Sequence, residues 1–298
     1  MAEKLCDDTP RTIYKSMVCD RNGIGFTEFL KKFAILERAP WPSWAIELAI
    51  EQVCYDLAQE GIDYSEISLS IDKYLQYDSD PVSVINMIDQ AFKHYATAYE
   101  VKIGLLLSLK YDSDRSRQNN TASLIDRPEM KKIFCGIDLV GDERSFDAEF
   151  YKSIFDKWRF NGKTLRAHVG EMPGSSDNVR KAIEVLGVNR IAHGIQASDD
   201  TLKLAVDRGV CFDLALHSNL VTGAWGDITT HPLKKMLGMK CVVTLNTDDP
   251  IQFNCSLDDE FSLAITHSLI SPDQAGDLMK NAWDASRHQR HANYPRHV

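Results

Sequence analysis

Imidazole and carboxylate side chains gather at five places between residues 138 and 249 of this 298-residue chain. They are Asp138 to Glu143, His168 with Glu171, His193, His217, and the Asp248-Asp249 pair. His168, His193, Asp248 and Asp249 offer the nitrogen and oxygen donors that zinc accepts. Glu171 stands three residues past His168, where a carboxyl group can face a pocket without ligating. Burial beside apolar neighbours would lift its pKa toward neutrality and suit it to general acid/base work. Gly141 brings backbone without a side chain, which leaves room beside a flat ring. Together these residues describe the addition of water to a planar heterocycle.

Such groups need elements to hold them. Short apolar runs predict strands at Tyr64–Ile71, Val101–Leu109, Lys132–Leu139, Thr164–Val169, Arg190–Ala192, Val210–Leu216 and Val242–Leu245. Amphipathic stretches predict helices between and around them, at Trp44–Glu60, Pro81–Tyr99, Phe146–Phe160, Ser176–Leu186, Asp199–Arg208, Pro232–Leu237 and Pro272–Ser286. Alternation with short connections argues for parallel strands and right-handed crossovers. The number of units favours a (β/α) barrel, in which reactive residues come from the C-terminal ends of strands. The polar groups named above occupy those ends. No G-x-G-x-x-G turn follows a strand, which weighs against a dinucleotide fold.

Acidic residues outnumber basic ones, 43 against 34, so the chain is a poor candidate for gripping nucleic acid. No apolar stretch approaches the roughly 20 residues of a membrane span. The first residues carry no apolar signal segment, and the seven cysteines show no C-x-x-C pair. A cytoplasmic protein with reduced thiols is expected. Length and composition fit one domain over 1–298, with no linker-like stretch. The histidine-rich end, 287–297, reads as a solvated basic tail.

Five segments carry a resemblance: DLVGDE (138–143), AHVGE (167–171), RIAHGI (190–195), SNLVTGAW (218–225) and TLNTDDP (244–250). Their order and spacing resemble those of the adenosine deaminase family, from about Gly25 to about Ser286. The resemblance implies a (β/α)8 TIM-type barrel in which a zinc-activated water attacks C6 of adenosine and ammonia leaves. By motif position, His168 and Asp248 resemble zinc ligands, and Glu171 the acid that protonates purine N1. His193 resembles the base and orienter of the attacking water, while Gly141 and Asp249 resemble the groups that hold the purine ring.

The chain also departs from that pattern. The family's first strand ends in an H-x-H-L-D-G run whose histidines ligate zinc, whereas no H-x-H occurs here and the first histidine is His94. One reading is that the first strand and helix are absent. The other is that Ile13–Cys19 forms that strand, with Ser16 and Val18 in the histidine positions. A missing strand would leave two sheet edges to be covered by a second copy, by a partner, or by Arg11–Cys19. His217 stands where the family shows a Cys-Pro pair. The expected function is deamination of a purine nucleoside. Its rivals are a silent purine-binding or scaffold homologue, and metal-free acid/base chemistry through Glu171, His193, His217 and Asp248.

Overall fold

The computed structural model describes residues 10–34, 36, 41–71, 80–111, 124–159 and 162–286. The expected C-terminal tail, and the end of the helix expected to reach Phe160, lie outside these residues. Seven strands are described: β1 (Tyr64–Leu69), β2 (Lys102–Tyr111), β3 (Gly136–Gly141), β4 (Thr164–Val169), β5 (Arg190–His193), β6 (Cys211–Leu214) and β7 (Val242–Leu245). They form one all-parallel sheet in the order β1 to β7.

The helices are α1 (Pro10–Met17), α2 (Phe26–Lys31), α3 (Ser43–Gln59), α4 (Pro81–Ala98), α5 (Pro128–Ile133), α6 (Ala148–Trp158) and α7 (Ser176–Lys181). Then follow α8 (Asp199–Arg208), α9 (Leu216–Thr222), α10 (Leu233–Gly238), α11 (Pro250–Phe253), α12 (Leu257–Thr266) and α13 (Pro272–Ala285). Local sequence explains several boundaries. Asp80 caps α4 ahead of Pro81, and reciprocal capping boxes open α12 (Ser256 with Asp259) and α13 (Ser271 with Gln274).

The sheet is curled. Arg190 on β5 bonds Glu66 on β1, and Arg166 on β4 donates to Ser68 on β1 at 2.6 Å. In a flat sheet, β1 and β5 would stand about 19 Å apart, at about 4.8 Å per strand. Outward-facing Leu105, Leu107, Ile137, Leu165, Phe212 and Val243 pack under helix residues such as Ile88, Phe155, Val179, Met236 and Leu278. The architecture is TIM-type, with seven described strands, one at each predicted strand position, against the eight of a full (β/α)8 barrel.

Inside the curl lies a buried ion network. Arg190 pairs with Glu66 and with Asp213 (2.7 Å), and Arg166 pairs with Asp138 (2.7 Å) and Asp213 (3.5 Å). Three carboxylates thus face two guanidinium groups. The remaining negative charge is met by His168, whose Nδ1 stands 3.1 Å from Asp138.

Three expectations are corrected. Neither Ile13–Cys19 nor Arg11–Cys19 is a strand, because Pro10–Met17 is helical and Ser16 Oγ bonds back to the Ile13 carbonyl at 2.6 Å. The chain then runs over α9 and α11, with Cys19 N donating to Gln252 O, Gly23 N to Leu220 O and Ile24 N to Val221 O. Phe26, Phe29, Val221 and Phe253 bury together there. Among the described residues, no strand pairs with the outer edges of β1 and β7.

The strand expected over Lys132–Leu139 starts at Gly136, since Lys132 and Ile133 close α5. Pro128 presets its first turn, Glu129 faces the positive helix end, and Lys131 and Lys132 the negative one. The strand expected over Val210–Leu216 stops at Leu214. Leu216 and His217 turn into α9 because the Glu260 carboxylate, from α12, accepts both of their N–H groups at 2.7 and 3.0 Å. That cap is 44 residues away in sequence, so no local pattern announces it.

Candidate active site

At the C-terminal ends of β4, β5 and β7, the structure brings together His168, Glu171, His193 and Asp248. The ligand atoms of His168, His193 and Asp248 all lie within 4.8 Å of one another. His193 Nε2 is 3.7 Å from Glu171 Oε2 and 3.9 Å from Asp248 Oδ2. Both His193 (φ 65) and Asp248 (φ 56) hold left-handed backbone, a costly conformation for non-glycine residues and common where side chains are aimed at a site.

The His168 ring is fixed from behind. With Nδ1 donating to Asp138, Nε2 is the nitrogen that a metal would take in place of its proton, as in carboxylate–histidine pairs behind metals. Burial opposes the charged imidazole, but the Asp138 carboxylate outweighs it and lifts the pKa to about 9. Asp138 itself is buried, and Arg166 and His168 together hold its pKa well below the usual carboxylate range.

Glu171 is buried on a tight turn. Gly170 before it has φ +73, and a Cβ there would stand 2.3 Å from a Val179 methyl, so only glycine fits. Glu143 clamps the turn, accepting from Gly170 N at 2.7 Å and from Met172 N at 2.5 Å. Burial pushes the Glu171 pKa up, against the lowering effect of His193. Thr222 Oγ1, which donates to the Ser218 carbonyl at 2.8 Å, stands 3.4 Å from the Glu171 carboxyl group.

A chain of hydrogen bonds sets the state of His193. The Leu233 backbone N–H can only donate, so His231 Nδ1 accepts it at 3.2 Å. Burial pushes the His231 pKa down to about 3, which keeps its ring neutral with the proton on Nε2. That proton goes to Asn219 Oδ1 at 3.2 Å, and Asn219 Nδ2 therefore donates to His193 Nδ1 at 3.1 Å. A neutral His193 consequently carries its proton on Nε2, facing Glu171 and Asp248.

Gly141 stands at the C-terminal end of β3 and Asp249 follows β7. Gly141 ends β3 with φ +105, which an L side chain would strain, and a Cβ there would find no atom closer than 3.7 Å. Asp249 precedes α11, and its charge reaches Cys19 on the N-terminal cover. Sequence reasoning quoted Asp138, Glu143 and Asn219 inside motifs without giving them work. It missed His231, twelve residues beyond Asn219, for which no local signal exists. His217 does not join the cluster; its Nδ1 bonds Glu260 at 2.9 Å.

A curled parallel sheet bearing imidazoles and carboxylates at its C-terminal strand ends defines a TIM-type hydrolase. Comparison with known proteins then places it. The adenosine deaminase family profile matches residues 1–293, and the chain belongs to that family. It is a deaminase-type hydrolase acting on a carbon–nitrogen bond. An adenosine deaminase of Clostridium acetobutylicum is 28% identical over 257 residues, covering 85% of this chain and 76% of the relative. The adenine deaminase of Arthrobacter aurescens has a similar fold, with TM-score 0.82 at 20% identity, covering 96% of this chain and 87% of that one. So does the N6-methyl-AMP deaminase of Arabidopsis thaliana, with TM-score 0.77 at 21% identity, covering 88% and 79%. No helix among the described residues is long and apolar enough to cross a membrane.

Proposed function

We propose that this protein hydrolyses the exocyclic C6–nitrogen bond of an aminopurine nucleoside, adenosine in the first instance, with release of ammonia. The observation that carries the reading is Glu171, buried and raised in pKa, beside His193, Asp248 and His168 at the mouth of the sheet. A carboxyl group whose pKa is raised by burial is suited to donate to ring nitrogen N1 as water adds at C6. His193, with Nε2–H directed into the site by Asn219, orients that water. This favours the orienting half of the two roles its motif suggests over the role of base. Asp249 and Gly141 flank the ring, at N7 and N3.

His168 and Asp248 fit a zinc ion in kind, through one imidazole nitrogen with a carboxylate behind it and one carboxylate oxygen. Catalytic zinc sites as a rule take three protein ligands, so two alone make a weak site. Bound there, zinc supplies a water of lowered pKa. The chain's acidic balance disfavours polynucleotide substrates.

The test is release of ammonia from adenosine or adenine, and of methylamine from N6-methyl-AMP, by the full chain with zinc supplied. Turnover with adenosine ahead of the other two is expected. Turnover confined to adenine or the nucleotide overturns the substrate assignment. Purine binding without turnover of any of the three overturns the reaction and leaves a silent purine binder.

A further inference from the structure

A second cluster of metal-binding side chains lies apart from the candidate active site. His217 at the start of α9, Cys255 in the turn between α11 and α12, and Glu260 on α12 bring their ligand atoms within 4.8 Å of one another. These are three different donors from three separate points of the chain. Cys255 and Glu260 are buried, and His217 keeps a side-chain exposure of 27%, which leaves a route for an ion.

We propose that His217, Cys255 and Glu260 form a second site for a borderline-soft divalent cation, zinc by preference. His217 Nδ1 and Glu260 Oε1 stand 2.9 Å apart. Adjacent ligand atoms on a tetrahedral zinc, at bond lengths of about 2.0–2.1 Å, are separated by about 3.3 Å. The ion therefore takes the place of the proton now shared by that pair. The Cys255 sulfur makes only a 3.8 Å contact with the Thr247 carbonyl, so little is lost when it turns to a metal. A thiolate with an imidazole selects zinc over magnesium or calcium, which prefer oxygen. Water completes the shell from the exposed side of His217.

The placement gives the site a purpose. The α9 helix carries Asn219, which holds His193, and the turn bearing Cys255 follows Asp248 and Asp249. An ion at this point ties together two elements that carry candidate active-site residues, and it would stiffen them without touching substrate.

Cobalt(II) distinguishes this site from the first, which contains no sulfur. Titrating the full chain with cobalt should produce a near-ultraviolet thiolate-to-cobalt charge-transfer band. The band should vanish in Cys255→Ala, fall in His217→Ala and persist in His168→Ala. Zinc affinity at this site should drop in Cys255→Ala by more than the roughly 10- to 100-fold lost with an outer-shell partner. Absence of the band in the wild-type chain, or its survival in Cys255→Ala, overturns the proposal. Should Cys255→Ala fail to fold, Cys255→Ser decides: the cobalt band must vanish in that variant, and its survival rejects the site.

Discussion

Replacing His231 by phenylalanine tests the hydrogen-bond chain that sets His193. The ring is 3% exposed, so phenylalanine fills the space while removing both nitrogens. Two buried groups then lose partners: the Leu233 N–H and the Asn219 side-chain oxygen. An unsatisfied buried polar group costs about 1–3 kcal/mol, so the variant should lose about 2–6 kcal/mol at pH 7. The loss should shrink in acid. The folded-state pKa of His231 is pushed down to about 3 from an ordinary 6.5, so between those values the unfolded wild type binds the extra proton. Wild-type stability therefore falls as pH drops below 6.5, by up to about 1.4 kcal/mol per pH unit, and phenylalanine has no proton to bind. At pH 4.5 the gap between the two proteins should be smaller by about 3 kcal/mol. Urea unfolding from pH 7 to 4.5 measures both quantities. Nitrogen-15 NMR of the histidines reports whether His193 keeps its proton on Nε2 in the wild type. A cost below about 1 kcal/mol, a gap that does not change with pH, or a protonated Nδ1 on neutral wild-type His193 refutes the reasoning.

Glu171→Gln removes the proton donor while keeping the shape; kcat should fall by about 10²- to 10⁴-fold with purine binding retained, in steady-state kinetics and calorimetry. Because the donor must be protonated, wild-type kcat should decline as pH rises through the raised Glu171 pKa, and a flat alkaline limb would contradict this role. Arg190→Met strips Glu66 and Asp213 of their shared cation inside the curl and should cost about 3–5 kcal/mol in chemical denaturation. Asp138→Asn weakens the partner behind His168 and should lower metal affinity at the first site by about 10- to 100-fold, read by competition with a chelating dye.

The sheet and the site differ in how far local sequence reveals them. Thr164–Val169 and Val242–Leu245 are strands at the predicted bounds because their apolar residues are flanked by Gly162-Lys163 and Gly170, and by Lys240 and Asn246. Strand ends supplied His168, Glu171, His193 and Asp248, since a parallel barrel must put its chemistry there. What escaped was long-range. Glu260 turns Leu216 and His217 into a helix from 44 residues away, and His231 reaches His193 only through Asn219. The buried arginines 166 and 190 sit within short apolar runs, and only the curl reveals that they face carboxylates on other strands. The alternative reading of Ile13–Cys19 as a strand fails because its alternation of polar and apolar residues suits an amphipathic helix equally well, and Pro10 opens that helix.

The central claim is hydrolytic deamination at purine C6, and oxygen-isotope transfer tests it most directly. The zinc-supplied full chain is incubated with adenosine in ¹⁸O-enriched water, and the product is analysed by mass spectrometry alongside an ammonia assay. One solvent oxygen in the purine ring system for each ammonia released is the predicted result. Ammonia without label at C6, or unchanged adenosine in a preparation shown to bind it, would contradict the account.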